Sequence, residues 1–599
     1  MAFMLVFACI SLLQSCTAGS TVSTVTKNQP SNDAVTPLLD VIQVEAPLRA
    51  SYGGASCKQT IVQHEFAASY GTPYIGSYSP PKDCKFTTTI FNMSVTSYGI
   101  NFDRLALLYF GDIELWRMTT AMPVRTGIFY KYEKDLTIFD SLLRSEEKII
   151  MTLDNIYNSV FTGSYNVTIT ALYFDDQETL TPADNILPIS SQSSSKNQSS
   201  AFSLPGDNAT TSLTLPRNVE RAVVSILASG NGAEEFWFRN VINENKGFFN
   251  NDILYGYSPF REVQLIIDGS LAGVSWPFPI VFTGGISPGL WVPIVGIDTY
   301  DLPSFEIDIS PWLGTLCDGN SHSFELKVVG YDSQTTLGTV NSNWVVSASV
   351  FIWSDHGGNQ THGSSIESQT PAPAFEVMPN VTSMNTTNSN LFSKLTAYRF
   401  LSHSATITTS SGIRKLTWRQ DLSYTNIQNY TALGYNKTLS QHTRGISTFS
   451  ATPRKHFTTI SNSYSWPIFF TSNNVVSPDP KATNSTLVAS IDRSSQSHTI
   501  PIIPYLTQSV SLFIPQVLST RQNGSCIYFW NNTLYEFAGA IDPADGTLGA
   551  TEQWYSYKDS QESYGRHVKA IDGYEPVLIL DEEFQNTISV PEADLDMVD

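Results

Sequence analysis

Short alternations of apolar and polar residues run along this chain with a period of two. Tyr165, Val167, Ile169, Ala171 and Tyr173 alternate with Asn166, Thr168 and Thr170, which predicts a half-buried strand. Val263, Leu265 and Ile267 alternate too, and Asp268-Gly269 behind them is a two-residue hairpin signal. Val346, Ala348, Val350 and Ile352 predict another strand, and Ala405-Thr406-Ile407-Thr408 a shorter alternation. Helical periodicity is almost absent; the strongest local candidate, 138–148, is short. No repeat of fixed period is visible. The pattern predicts an all-β protein of sandwich type.

Composition divides the chain. At 599 residues it is too long for one core. Residues 1–18 read as a signal peptide: an apolar run from Phe3 to Leu13, then the small residues of Cys16-Thr17-Ala18. Residues 19–45 read as an extended lead-in or propeptide. A first domain is expected over 46–185, a Ser/Gln-rich linker over 186–200, a second domain over 201–355, a linker with Gly357-Gly358 and Pro371-Ala372-Pro373 over 356–374, and a β-rich third domain over 375–599.

Charged residues make up 15% of the chain, against a typical figure of about 25%. Ser, Thr and Asn fill the difference. Sequons begin at Asn92, Asn166, Asn197, Asn208, Asn359, Asn380, Asn385, Asn429, Asn436, Asn484, Asn523 and Asn531. That number of acceptors predicts a glycosylated protein of the secretory route, its sugar replacing surface charge. The formal net charge of -20 argues against nucleic acid or an anionic membrane as partner. No segment past the signal is apolar and long enough to span a bilayer. The sequence carries no sign of an oligomeric state.

Beyond the signal the cysteines are Cys57, Cys84, Cys317 and Cys526, an even number that suggests disulfides in a secreted chain. Three pairings are possible. No CxxC or HExxH spacing supports a zinc site instead.

The densest motif run is Tyr257 to Trp312, with Phe260-Arg261-Glu262, a hairpin, Trp276-Pro277-Phe278, Thr283-Gly284-Gly285 and Trp291-Val292-Pro293. Core packing alone does not call for so many Gly, Pro and aromatic residues together. Cys57 to Cys84 encloses Gln63-His64-Glu65-Phe66, Tyr70-Gly71 and Pro80-Pro81. Phe102-Asp103-Arg104, Gly111 to Trp116, Glu133-Lys134-Asp135, Glu235-Phe236-Trp237, Asp301-Leu302-Pro303 and Asp318-Gly319 through His322 complete the set. Together these resemble the acid-active peptide:N-glycosidase A family, plant and fungal amidases that remove N-glycans from glycopeptides. The resemblance covers roughly residues 46 to 355.

It implies two adjacent jelly-roll sandwiches with the active site between them, as in a bacterial peptide:N-glycosidase family whose first domain carries an aromatic-Asp-Arg motif. It favours pairing Cys57 with Cys84, and with that Cys317 with Cys526. It implies metal-independent hydrolysis of the amide joining Asn to the innermost GlcNAc, with no cofactor and with glycopeptides or unfolded glycoproteins as partners. Asp103 is then the first candidate for activating water, Glu235 the candidate proton donor, and Glu262 a third carboxylate. Arg104, Arg261, Asp154 and His64 are candidates for substrate contact, and Trp116, Trp276 and Trp291 for stacking on sugar. One departure stands out: Tyr98-Gly99-Ile100 occupies the place where relatives often carry a cysteine.

The residues alone permit blander readings. Asp103-Arg104 suits a buried ion pair at a strand start, Glu262 an exposed hairpin position, and aromatics in sandwiches are usually core. Neighbours on a regular strand face opposite sides, so Asp103 and Arg104 can share a pocket only at a strand start or bulge. Two other functions fit the fold: a non-catalytic carbohydrate-binding protein, and a glycosidase cutting within the glycan.

Overall fold

A computed structural model describes residues 37–48, 54–175, 182–249, 254–378, 382–383, 390–452, 458–475, 484–502, 516–531, 547–558, 563–572 and 576–583. The expected signal peptide lies outside them, as do Asn380 and Asn385.

Two β-sandwiches stand side by side, and a broad third sheet leans on the second. In the first sandwich one sheet runs Leu39–Asp40, Ile128–Asp135, Thr88–Tyr98, Ser164–Phe174, Cys57–Phe66. The facing sheet runs Tyr74–Tyr78, Glu147–Leu153, Leu105–Phe110, Ile113–Thr119. The 165–173 alternation comes out as expected, odd-numbered residues buried and Asn166 exposed. A disulfide joins Cys57 to Cys84.

In the second sandwich, Trp344–Ser354 and Val219–Gly230 lie at the centre of one sheet, and His322–Asp332 and Arg261–Ile267 at the centre of the other. The hairpin forms as the sequence predicts: Arg261–Ile267 turns at Asp268-Gly269, both at positive φ, into Ser270–Ser275. Among the described residues the third sheet has 13 strands, many of them 16 to 20 residues long. Its inward residues Leu416, Trp418, Leu422 and Tyr424 share one apolar core with Trp276, Phe260 and Trp344 of the second sandwich. The second sandwich is therefore packed on two sides, which holds its loops against the first.

Three boundaries differ from expectation. Asn185–Ile189, at the head of the expected linker, is a strand on Trp344–Ser354 with Ile186 and Ile189 buried. The other expected linker supplies His362–Gly363 and Glu367–Gln369, both paired with Asn390–Thr409. These strands are exposed along their length, so they carry a linker's composition. Leu39–Asp40, from the expected lead-in, pairs in parallel with Ile128–Phe129. The helical candidate shrinks to two single turns, Thr137–Phe139 and Asp140–Leu143, before Glu147–Leu153 continues as strand. Among the described residues no helix is long and apolar enough to cross a membrane.

Candidate active site

Residues 101–104 form no regular structure before Leu105–Phe110 begins. Asn101 makes this possible. Its amide donates to the carbonyls of Ile156 and Gly163 at 2.9 and 2.7 Å, and its Oδ1 accepts from Phe102 N and Arg104 Nη2. Tyr165 Oη holds the Phe102 carbonyl at 2.7 Å. Freed from strand alternation, Asp103 and Arg104 both reach one cleft. Arg104 Nε donates to Asn155 at 3.1 Å, leaving Nη1 without a partner among the described residues.

Glu235 comes from the other wall. It ends the short turn Gly232–Glu234, which follows the Val219–Gly230 strand. The preceding residue fixes that turn. Glu234 is fully buried and accepts from Arg261 Nη2 at 2.8 Å, Trp344 Nε1 at 2.7 Å and Asn341 Nδ2 at 3.0 Å. The cleft has a volume of about 820 Å³ and takes Asp103, Arg104, Asp154 and Glu235 into its lining. Tyr70 and Phe102 stand at its rim, 71% and 43% exposed.

The Thr283-Gly284-Gly285 turn brings Gly284 into the lining. Gly284 donates its N–H to Asp103 Oδ1, and a Cβ on Gly285 would meet the Phe236 ring at 2.7 Å. Thr283 Oγ1 reaches across to the Thr120 carbonyl at 3.1 Å. One turn of the second sandwich thus grips both carboxylate-bearing segments.

The cleft alters both acids. Burial pushes Asp103 up to about 6, resisted by its own backbone N–H, by that of Gly284 and by Arg104. Burial pushes Glu235 up to about 8, helped by the charge of Asp103 and opposed by Arg239. The charge on Asp103 thus favours the protonated form of Glu235, and the two titrate as a pair. At neutral pH the pair offers one carboxylate and one carboxylic acid.

The remaining candidates, Asp154 apart, lie elsewhere. Glu262 is wholly buried against the third sheet, ion-paired with Arg399 and bonded by Trp276 Nε1 at 3.0 Å and Gln264 Nε2 at 2.7 Å. It supports the domain junction and does not touch the cleft. Arg261 serves Glu234 and the carbonyls of Tyr257, Ser258 and Phe260. Trp116, Trp276 and Trp291 are at most 1% exposed, their indoles bonded to the Tyr300 carbonyl, Glu262 and the Gly285 carbonyl. None of the three can stack on a ligand. His64 packs beside Phe66 and Tyr74, outside the cleft. Asp154 does line the cleft, its Oδ1 taken by Gly71 N at 3.0 Å.

The second expected disulfide is absent. Cys317 and Cys526 are both free and buried. Cys526 Sγ lies 3.2 Å from Ser287 Oγ, while Cys317 sits by Val219 and Thr361. Each thiol is enclosed among its own neighbours.

Fold and cleft define a two-sandwich β protein with a carboxylate pair at the domain junction. The chain belongs to the family described as peptide N-acetyl-beta-D-glucosaminyl asparaginase amidase A, whose model matches residues 46–371, more than half of the chain. A model of the PNGase_A C-terminal domain matches residues 393–468, a stretch in which the motifs carried no resemblance. The chain is 35% identical over 328 residues to a peptide-N4-(N-acetyl-beta-glucosaminyl)asparagine amidase A of Prunus dulcis, a match covering 51% of this chain and 56% of that protein. The matched part thus spans little more than half of that relative. Among solved structures, PNGase F from Flavobacterium meningosepticum aligns at 16% identity over 50% of this chain and 96% of its own, with a TM-score of 0.32. PNGF-II aligns at 13% identity over 51% and 66%, with a TM-score of 0.34.

Proposed function

We propose that this chain hydrolyses the amide between asparagine and the innermost GlcNAc of N-glycans. The observation that carries the reading is the meeting of Asp103 and Glu235, one from each sandwich, in one cleft with opposite protonation preferences. Family membership supports it.

The chemistry follows from those preferences. Asp103 takes a proton from a water as its oxygen attacks the side-chain carbonyl carbon. Negative charge gathers on the carbonyl oxygen, and the guanidinium of Arg104 is the cation available to it. Glu235 gives its proton to the departing nitrogen as the C–N bond breaks. The peptide leaves with Asp in place of Asn, and the glycan leaves as a glycosylamine that later loses ammonia. Each carboxyl ends in the other's starting state, so proton exchange with solvent resets the pair.

The substrates are glycopeptides or unfolded glycoproteins, because the asparagine has to enter a cleft between two domains. The setting is the secretory lumen or outside the cell. A disulfide closes Cys57 to Cys84, and sequon residues Asn166, Asn197, Asn208, Asn359, Asn429 and Asn523 are exposed.

The test is one defined glycopeptide and the mass of its peptide product. Conversion of Asn to Asp supports the amidase, whereas a peptide retaining GlcNAc identifies a glycosidase. Asp103→Asn is expected to fold normally and lose most turnover. Near-native turnover in that variant would remove Asp103 from the mechanism.

A further inference from the structure

The cleft does not end at its rim. Ser199, Ala201 and Phe202 also line an adjoining depression of about 670 Å³, formed with residues 190–193, 198, 207–208 and 210–212. Its chemistry is unlike that of the cleft. The walls present Gln192, Gln198, Asn208 and Ser212, with Asp207 as the one charged side chain, and the apolar contribution is small. Asp207 is occupied, its Oδ2 accepting from Ser203 N at 2.6 Å. Among the described residues no Lys or Arg lines the trough, so an anion finds no counter-charge there. An apolar side chain or a lipid finds almost nothing to bury against.

The wall is held in place from the first sandwich. Asp112 Oδ1 accepts from Ser194 N at 3.0 Å and from Ser200 Oγ at 2.7 Å. Lys148 Nζ donates to the Ser194 carbonyl at 2.8 Å and to Asn197 Oδ1 at 2.7 Å. Meanwhile Gln192 and Gln198 are exposed, and their side-chain amides make no hydrogen bond among the described residues. A fixed wall with free amides suits a ligand rich in groups that both donate and accept, at little ordering cost.

We propose that this trough is a subsite for neutral oligosaccharide. It rests on the amidase reading in one respect: continuity with the cleft makes the outer sugars of a bound N-glycan the first source of that ligand. A second source has the same chemistry. Asn208 is an exposed sequon asparagine in the trough lining, and its Oδ1 accepts from Thr210 Oγ1 at 2.9 Å. A glycan attached there would lie in the trough itself.

The experiment compares two glycopeptides of one peptide, bearing GlcNAc2 alone or a branched high-mannose glycan. In the native chain kcat/KM is expected to favour the long glycan. In Gln192→Ala/Gln198→Ala that preference is expected to fall about tenfold, with the short glycopeptide cut as before. Equal losses on both substrates, or no change on either, would overturn the proposal. If the native chain cuts neither, the amidase reading fails separately. The trough is then judged by titrating the free high-mannose oligosaccharide into Asp103→Asn with ligand-observed NMR. Binding that vanishes on adding the two Gln→Ala changes supports it, and absence of binding both here and in Asn208→Gln overturns it. Asn208→Gln separates the sources. Stronger use of long glycans in that variant assigns the trough to the chain's own sugar, and unchanged use assigns it to the substrate's.

Discussion

Gly284 donates its backbone N–H to Asp103 Oδ1 across 2.9 Å, and a Cβ at position 284 would stand 2.6 Å from the same oxygen. The second sandwich thereby holds the first sandwich's carboxylate by a contact only glycine allows. Gly284→Ala is expected to fold, because its φ lies outside the left-handed region. The carboxylate has to move aside, and a displacement on the ångström scale costs about 100-fold in turnover. Steady-state kinetics on a glycopeptide check this; an alanine variant with native kcat would show that the contact is dispensable.

The carboxylate pair sets the shape of the pH–rate profile. In the proposed mechanism Asp103 acts ionised and Glu235 protonated, and burial raises both. The acid limb of kcat/KM should then lie near 6 and the alkaline limb near 8, both above the ordinary carboxylate range of about 4. Glu235→Gln should lose about 100-fold or more in turnover and lose the alkaline limb with it. An alkaline limb that survives in that variant belongs to another group.

Much of this was legible beforehand. Period-two alternation located strands such as 165–173 and the 261–275 hairpin, because half-buried antiparallel strands print their faces on the chain. The motifs around Asp103 and Glu235 singled out two residues that line one cleft. Glu234 was not legible: beside Glu235 it reads as a twin, and only the packed structure shows one facing the cleft and the other bonded to Arg261 and Trp344. Trp116, Trp276 and Trp291 misled because a tryptophan's burial depends on layers that sequence does not display. Glu262 misled for the same reason, since the sheet that buries it lies more than a hundred residues onward.

Glu262 and Arg399 link the second sandwich to the third sheet, so their effect should be on stability. Glu262→Ala leaves a buried guanidinium without its partner, at a cost of about 3–5 kcal/mol. Denaturant melts should show that loss, while the folded fraction keeps native KM and kcat. A selective fall in kcat with native stability would return Glu262 to the catalytic set.

Cys317 and Cys526 are expected to react with iodoacetamide in denaturant without reductant, while Cys57 and Cys84 stay blocked. In the folded protein both thiols should react slowly, since burial pushes each up to about 11. Peptide mapping after alkylation checks this, and a 317–526 cross-linked peptide would contradict it.

A second group of acids governs stability against pH. Glu45 is pushed up to about 8 by burial, with Gln43 and Tyr132 bonding it and Asp301 and Asp298 adding to the rise. Asp298 is pushed up to about 7 by burial against the pull of Arg493. Asp301 is raised by burial although Lys134 pairs with it. A carboxyl whose folded value exceeds its unfolded one holds its proton longer in the native state, so stability declines as pH rises from about 4 through the folded value. His403 and His442 act oppositely, both lowered to about 4 by burial. Their effect ends near 6.5, above which the unfolded imidazoles are neutral too. Between pH 6.5 and 8 the buried carboxyls act without that opposition, each contributing a slope of up to about 1.4 kcal/mol per pH unit. The melting temperature is therefore expected to fall from pH 6.5 to 8. Glu45→Gln, which keeps the shape and removes the titration, should flatten part of that fall. A melting temperature constant across the interval, or a slope unchanged in Glu45→Gln, would place the proton uptake elsewhere.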